Sequence, residues 1–276
     1  MEINVTILLV VHNAETYISE CIESVLAQTY EAFEFLIVDN VSTDNTVSII
    51  NSFSDSRINL ILNKHNYIEA LNTGISIAKG KYIARIDADD KMFPNRIQEQ
   101  VQIMKTFPDV DICGSWATTF GGASNTLSYG QGIIENPLAE LLRGNFLCHP
   151  STMFRKKFFK ENNLKYKNYD YAEDYKLWLD AALLGGVFYI IPHPLILYRI
   201  SKDQVSYRKR SEQIATAKRI RNEILLLILN DKKISIYTEF QEIYKCLEKM
   251  NNEQKIDTSA VIEIISFLYK SLCRKL

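Results

Sequence analysis

Asp87, Asp89 and Asp90 fall within four consecutive positions, in the run A-R-I-D-A-D-D at 84–90. Like charges at that spacing raise one another's pKa and weaken a fold unless something neutralises them. A hard divalent cation does so, because it takes oxygen ligands and commonly leaves part of its shell to substrate phosphates. Mg²⁺ or Mn²⁺ among these acids points to a phosphorylated ligand, a nucleotide first of all. The plain alternative is a helix cap, but a cap uses one acid and not three.

The elements that must hold these acids can be read from the hydrophobic pattern. Apart from Thr6, Val5–Val11 is a continuous apolar run rich in β-branched residues, the pattern of a strand buried on both faces. Over Tyr17–Gln28 the period changes, with Ile18, Ile22, Val25 and Leu26 at helical spacing. Strands then follow at Phe33–Val38, Ile58–Leu62 and Tyr82–Ile86, with helices at Asp44–Ser52 and Ile68–Ala78 between them. This alternation predicts a parallel, doubly wound α/β sheet. Ligands of such sheets bind beyond the carboxyl ends of the strands, and both Asp39 and Asp87 end a predicted strand. Asp44 is read as the N-cap of the helix that follows it.

Farther along, a helix is expected after Pro94, over 95–105, and a strand over Val110–Phe120. The glycine-rich stretch 121–132 reads as a mobile loop and not as a phosphate cradle, since no strand-Gly-helix context surrounds it. From Ser206 onward the pattern is helical.

Composition narrows the classes. A 276-residue chain with 47% hydrophobic residues can bury a large core, so disorder is not expected. Five cysteines, odd in number and without a C-x-x-C pair, predict free thiols in a reducing compartment and give zinc no support. The start M-E-I-N has no basic region before its apolar run, and no stretch approaches the roughly 18 apolar residues of a membrane span. The expectation is a soluble protein with any membrane contact peripheral. No dense basic patch interleaved with aromatics supports a nucleic-acid partner.

Four segments stand in order: V-V-H-N-A-E (10–15), V-D-N-V-S-T-D (38–44), L-N-T-G-I-S-I-A-K-G-K-Y-I-A-R-I-D-A-D-D (71–90) and A-E-D-Y-K-L-W-L (172–179). On these segments the chain resembles an inverting family 2 glycosyltransferase of the GT-A fold. A single D-x-D is a weak signal, whereas four motifs in order and spacing are specific. The resemblance implies a GT-A type doubly wound mixed sheet flanked by helices, with a C-terminal helical extension. A nucleotide-sugar-binding half would span 1–120, an acceptor and catalytic-base half 121–201, and the extension 202–276.

The resemblance also implies roles. Asp39 matches the aspartate that holds the base of a nucleotide sugar, usually UDP. Asp87 matches an acid near ribose or metal, and Asp89 the acid that coordinates the Mn²⁺ or Mg²⁺ bridging the diphosphate. Val11, Asn13, Glu15, Asn72 and Arg85 fall on the donor side. In the pair Glu173-Asp174, Asp174 takes the position of the catalytic base, although acids also favour a helix start on physical grounds alone. His149, in C-H-P-S-T-M-F-R, would lie near donor or acceptor. Trp178 would pack the acceptor-side wall or the core, and Arg199 would touch phosphate or pair with a surface acid. The acceptor implied is a saccharide or lipid-linked saccharide of surface polysaccharide synthesis, handled in the cytoplasm or at the cytoplasmic face of the membrane. Two rivals are a nucleotide-sugar-binding module without transfer, which the full set of acids disfavours, and a nucleotidyltransferase, which lacks its glycine-rich, basic triphosphate loop here.

Several positions depart from the family pattern. The usual proline before V-H-N is Val10, and the frequent D-D-G-S is Asp39-Asn40-Val41-Ser42. Valine does not take positive φ freely, so that loop is expected to bend differently. Leu71 stands where an arginine is frequent, which leaves donor contacts to Lys64 or Arg85. Ser201 replaces a common histidine, so no histidine metal ligand is expected there. The tail Ser259–Leu276 is apolar with Lys270, Arg274 and Lys275 at its end, and it suits either an anionic membrane surface or docking on the catalytic domain.

Overall fold

The computed structural model describes residues 3–64, 66–202, 204–230 and 238–273. Strands β1 (Val5–Val11), β2 (Phe33–Asn40), β3 (Ile58–Asn63) and β4 (Tyr82–Ile86) alternate with helices α1 (Ile18–Leu26), α2 (Thr46–Ser52) and α3 (Tyr67–Ile77). These four strands are parallel, in spatial order β3-β2-β1-β4. The chain moves one way from β1 to β2 and the other way to β4, so a crevice opens beyond the carboxyl ends of β1 and β4. Residues of β1 alternate between two cores: Val5, Ile7, Leu9 and Val11 face α1, whereas Leu8 and Val10 face the layer that contains α3. Burial of both faces is why the strand reads as an apolar run with Thr6 its one polar residue.

The second half makes the sheet mixed. After β5 (Lys91–Met92) and α4 (Arg96–Thr106) comes β6 (Ile112–Phe120), which lies parallel to β10 (Phe188–Arg199). The three-residue β9 (Met153–Arg155) runs antiparallel between β4 and β6 and joins the halves into one sheet. The glycine-rich stretch is more ordered than a loop: β7 (Thr126–Leu127) pairs with β6, and β8 (Gly132–Ile133) pairs with β10.

Helix α5 (Pro137–Arg143) leads through a short 3-10 turn at His149–Ser151 to β9, followed by α6 (Lys156–Glu161) and α7 (Glu173–Leu183). The extension holds α8 (Val205–Arg208), α9 (Arg210–Leu229), α10 (Thr238–Asn252) and α11 (Thr258–Cys273). The apolar face of α11 docks on α5: Val261, Ile265 and Tyr269 are buried, and Ser266 Oγ donates to Ala139 O at 2.7 Å. Lys270 pairs with Glu140, whereas Arg274 and Lys275 lie outside the described residues. Among the described residues no helix is long and apolar enough to cross a membrane, and all five cysteines are free.

Candidate active site

Two loops form the first bank of the crevice, one after β1 and one after β2, and they are laced together. Asn13 N donates to Ser42 Oγ at 2.9 Å, and Thr43 N donates to Asn13 Oδ1 at 2.8 Å. Glu15 Oε2 accepts from Asn45 N at 2.9 Å and from Asn45 Nδ2 at 2.8 Å. The side chains of Asn13 and Glu15, both in the loop after β1, thus shape the bank by holding the loop after β2. Asp44 spans both loops, because one oxygen accepts from Thr46 N and the other from Glu15 N, each at 3.0 Å. Asn45, not Asp44, is the residue at the N-cap position of α2.

Asp39 sits beside Val11 in register, and its carboxylate is buried. Oδ2 accepts from Ser42 N at 3.1 Å, while Oδ1 is enclosed without a hydrogen-bond partner. A buried oxygen of that kind calls for a ligand donor or an ordered water. Sequence reasoning passes over His12, whose exposed ring donates from Nδ1 to Asn40 O at 2.8 Å at the mouth of the same bank. Its only signal is its place between Val11 and Asn13.

Val41 corrects the sequence expectation. It stands at φ 61, in the left-handed region that a β-branched residue rarely enters. Hydrogen bonds on either side, His12 to Asn40 O and Ser42 N to Asp39, hold the backbone there. Tertiary contacts override the local preference.

The end of β4 is built on a buried arginine. Arg85 is 1% exposed, and its Nη2 reaches Asp87 Oδ1 at 2.5 Å and Tyr67 Oη at 2.9 Å, while Nη1 bonds Ile86 O. The guanidinium is therefore directed beneath Asp87 and not at the open crevice; Lys64 is exposed. Asp87 and Asp89 are partly exposed, but Asp90 is buried, with Oδ1 accepting from Arg199 N at 2.8 Å and Oδ2 unpartnered. Burial, then the charge of Asp87, raises the Asp89 carboxyl above its usual range, and burial raises Asp90 further. Of the three crowded acids, two face the crevice and one is internal.

Arg199 clamps this turn. Its guanidinium lies between the rings of Tyr17 and Phe120, at 4.2 and 4.3 Å, and donates to Asp89 O at 2.8 Å and Glu20 Oε2 at 3.0 Å. The pairing with an acid, one of the two sequence readings, is the one observed. Among the described residues no group of three or more His, Cys, Asp or Glu forms a metal cage. Asp87, with Oδ1 held by Arg85, and Asp89, with Oδ2 accepting from Gln204 Nε2 at 3.4 Å, are both partly exposed and fit a Mg²⁺ or Mn²⁺ ion that would take its remaining ligands from phosphate and water.

The opposite bank is the start of α7. Asp174 Oδ2 accepts from Asn145 Nδ2 at 2.8 Å and Oδ1 from Tyr175 N at 2.7 Å. Burial, then the charge of Asp174, pushes the Glu173 carboxyl up to about 7, and Asp87 adds to the rise. The two banks thus act on each other electrostatically. Asn145 is a second residue that sequence reasoning misses, because its partner lies 29 positions away.

Between the banks lies a floor of paired polar groups. Asn72 exchanges two hydrogen bonds with the backbone of Tyr166, at 3.0 and 2.9 Å, so its amide is engaged there. Tyr166 Oη and His149 Nε2 are 2.7 Å apart, and burial, then the charge of Arg85, lowers the His149 pKa. Trp178 is fully buried, edge-on to His149 at 6.2 Å between ring centroids, and is a core residue.

The comparisons agree with this architecture. Over 275 residues the chain is 34% identical to an uncharacterized glycosyltransferase of Haemophilus influenzae, covering 91% of this chain and 83% of the relative. It is 32% identical over 187 residues to the UDP-Glc:alpha-D-GlcNAc-diphosphoundecaprenol beta-1,3-glucosyltransferase WfaP of Escherichia coli, covering 66% and 71% of the two chains. The structure of S. aureus TarS 1-349 in complex with UDP-GlcNAc superposes with a TM-score of 0.67 at 16% identity, covering 90% of this chain and 73% of that one. That likeness is one of fold, the GT-A arrangement of a mixed sheet between helices. With residues 6–163, more than half its length, matching the glycosyl transferase family 2 model, the chain belongs to that family and is a glycosyltransferase.

Proposed function

We propose that the protein transfers a sugar from a UDP-sugar to a lipid-linked saccharide, with inversion, in the synthesis of a surface polysaccharide. The observation that carries this reading is that the charge of Asp87, at the end of β4, reaches Glu173, which begins α7 beside Asp174. The buried Asp39, with one unpartnered oxygen, suits a ring N–H of the uracil base. Asp89 and Asp87 would hold a Mn²⁺ or Mg²⁺ ion. When bound, such an ion supplies Lewis-acid neutralisation of the charge that grows on the departing diphosphate.

The chain's own residues do the rest. Arg85 holds Asp87 from beneath, and Arg199 fixes the turn that carries Asp89. Asp174 takes the proton of an acceptor hydroxyl as that oxygen attacks the anomeric carbon from the side opposite the diphosphate. One displacement inverts the centre. Support for the acceptor class comes from the related WfaP, a UDP-Glc:alpha-D-GlcNAc-diphosphoundecaprenol beta-1,3-glucosyltransferase. The outer side of α11, where Phe267 is 68% exposed, suits peripheral contact with the membrane that carries such a lipid, at its cytoplasmic face.

The test is transfer from UDP-glucose, with Mn²⁺, to GlcNAc-diphosphoundecaprenol in vesicles, with the product anomer read by NMR. A β-linked product supports the reading. Failure to bind UDP or any UDP-sugar by calorimetry, with or without metal, would overturn it.

A further inference from the structure

Asn145 lies in the loop between α5 and the 3-10 turn, half-buried and in contact with Asp174. Its Nδ2 donates to Asp174 Oδ2 at 2.8 Å, and its Oδ1 accepts from Leu147 N at 3.2 Å. The two bonds fix the orientation of the amide. Turned over, it would set NH₂ against an N–H and a carbonyl oxygen against a carboxylate. With Tyr175 N on Oδ1, each oxygen of Asp174 has one assigned donor.

The loop is itself anchored. Leu147 is buried, and a Cβ built on Gly114 of β6 would meet its Cδ2 at 2.5 Å. The leucine therefore fills space that only a glycine leaves open. At the far end, Ser151 Oγ accepts from Ser115 N at 3.1 Å and lies within 2.8 Å of Cys148 O. A strand of the central sheet thus sets the position of Asn145.

We infer that Asn145 is a positioning residue for the proton-accepting carboxylate, acting on the reaction through Asp174. This rests on the reading of Asp174 as general base. Asp174 shares its bank with Glu173, and a carboxylate among other acids needs a donor to hold its direction. A lysine or arginine would do so while depressing its basicity, whereas a neutral amide orients it with less loss. Geometric control of this kind matters because a misplacement of about 1 Å at a reacting group costs on the order of 10²-fold in rate.

The experiment measures turnover of UDP-glucose with GlcNAc-diphosphoundecaprenol, and UDP affinity by calorimetry, for the full chain carrying Asn145→Ala, Asp174→Asn or both. Asn145→Ala is expected to lower turnover about 10- to 100-fold and to leave UDP affinity within about twofold of wild type. The double variant is expected to be no slower than Asp174→Asn alone, because the amide has nothing left to orient. Asn145→Asp, of equal size, keeps an acceptor for Leu147 N but sets a like charge against Asp174, so it should fall at least as far as the alanine. Unchanged turnover in either single variant at Asn145 overturns the inference. So does a loss that multiplies in the double variant, the mark of a residue that only supports the fold. Wild-type turnover in Asp174→Asn would remove the general-base reading itself. Absence of both turnover and UDP binding in the wild type would remove the donor reading beneath both.

Discussion

Arg85 Nη2 stands 2.5 Å from Asp87 Oδ1, with the arginine side chain 1% exposed and the aspartate 32% exposed. The cation is inside and the anion is at the crevice, so the pair fixes a carboxylate at the surface from within. Breaking a buried pair by removing one partner commonly costs 3–5 kcal/mol, and partial hydration of Asp87 lowers that to about 2–3 kcal/mol for Arg85→Ala. Urea denaturation of the variant checks this. Loss below about 0.5 kcal/mol would mean that the pair does not brace the site.

Metal dependence should show in UDP binding. Addition of Mn²⁺ should tighten UDP on the wild type, and Asp89→Ala should lose about 10- to 100-fold of that gain. Calorimetry with EDTA in place of metal supplies the baseline. Equal affinity in all conditions would take the cation out of the site.

Asp174→Asn should separate chemistry from binding. Loss of a general base typically lowers rate by about 10²–10⁴-fold, while UDP affinity should stay at the wild-type value if Asp174 serves the acceptor as proposed. A parallel loss of both would place Asp174 on the donor side instead.

Glu173 gives stability a pH dependence of predictable sign. Its carboxyl, ordinarily near 4.5, is pushed up to about 7 in the folded chain, first by burial and next by the charge of Asp174. Between those values the folded state keeps a proton that the unfolded state has lost, so stability falls as pH rises through the window and levels off above it. Glu173→Gln removes the titration. Its denaturation free energy should match that of the wild type near pH 4.5 and exceed it by up to about 3 kcal/mol at pH 8. A pH-independent difference would contradict this.

Val41→Gly should stabilise the fold. Left-handed backbone costs a residue with Cβ about 1–2 kcal/mol, and the added freedom of glycine in the unfolded chain returns about 0.5–1 of that. A net gain of about 0.5–1 kcal/mol is expected in denaturant midpoints, and a loss would show that the valine side chain makes compensating contacts.

The parts of this molecule that sequence makes legible are those decided locally. The run Val5–Val11 announces β1 because both of its faces are buried, and Asp39 and Asp87 stand out because each ends such a run. The parts that stay hidden depend on partners far along the chain. Arg85 turns inward because Tyr67 and Asp87 meet it there, a choice its neighbours in sequence do not reveal. Val41 takes a backbone angle that its own side chain opposes, because His12 and Asp39 hold both flanks. Met153–Arg155 is too short to show any period, and it becomes a strand only because β4 and β6 leave a gap between them.

That last strand bears on how the chain folds. Until Met153–Arg155 arrives, β4 presents an open apolar edge to the surroundings, of the kind that invites pairing with another chain. The first four strands therefore cannot finish their sheet as the ribosome releases them, and must wait for a segment made after β6, the α5 loop and the 3-10 turn. An arrest or truncation before residue 153 would yield a sticky half-sheet and not a smaller working domain, and the period of synthesis between β4 and β9 is the interval in which this protein most needs a chaperone.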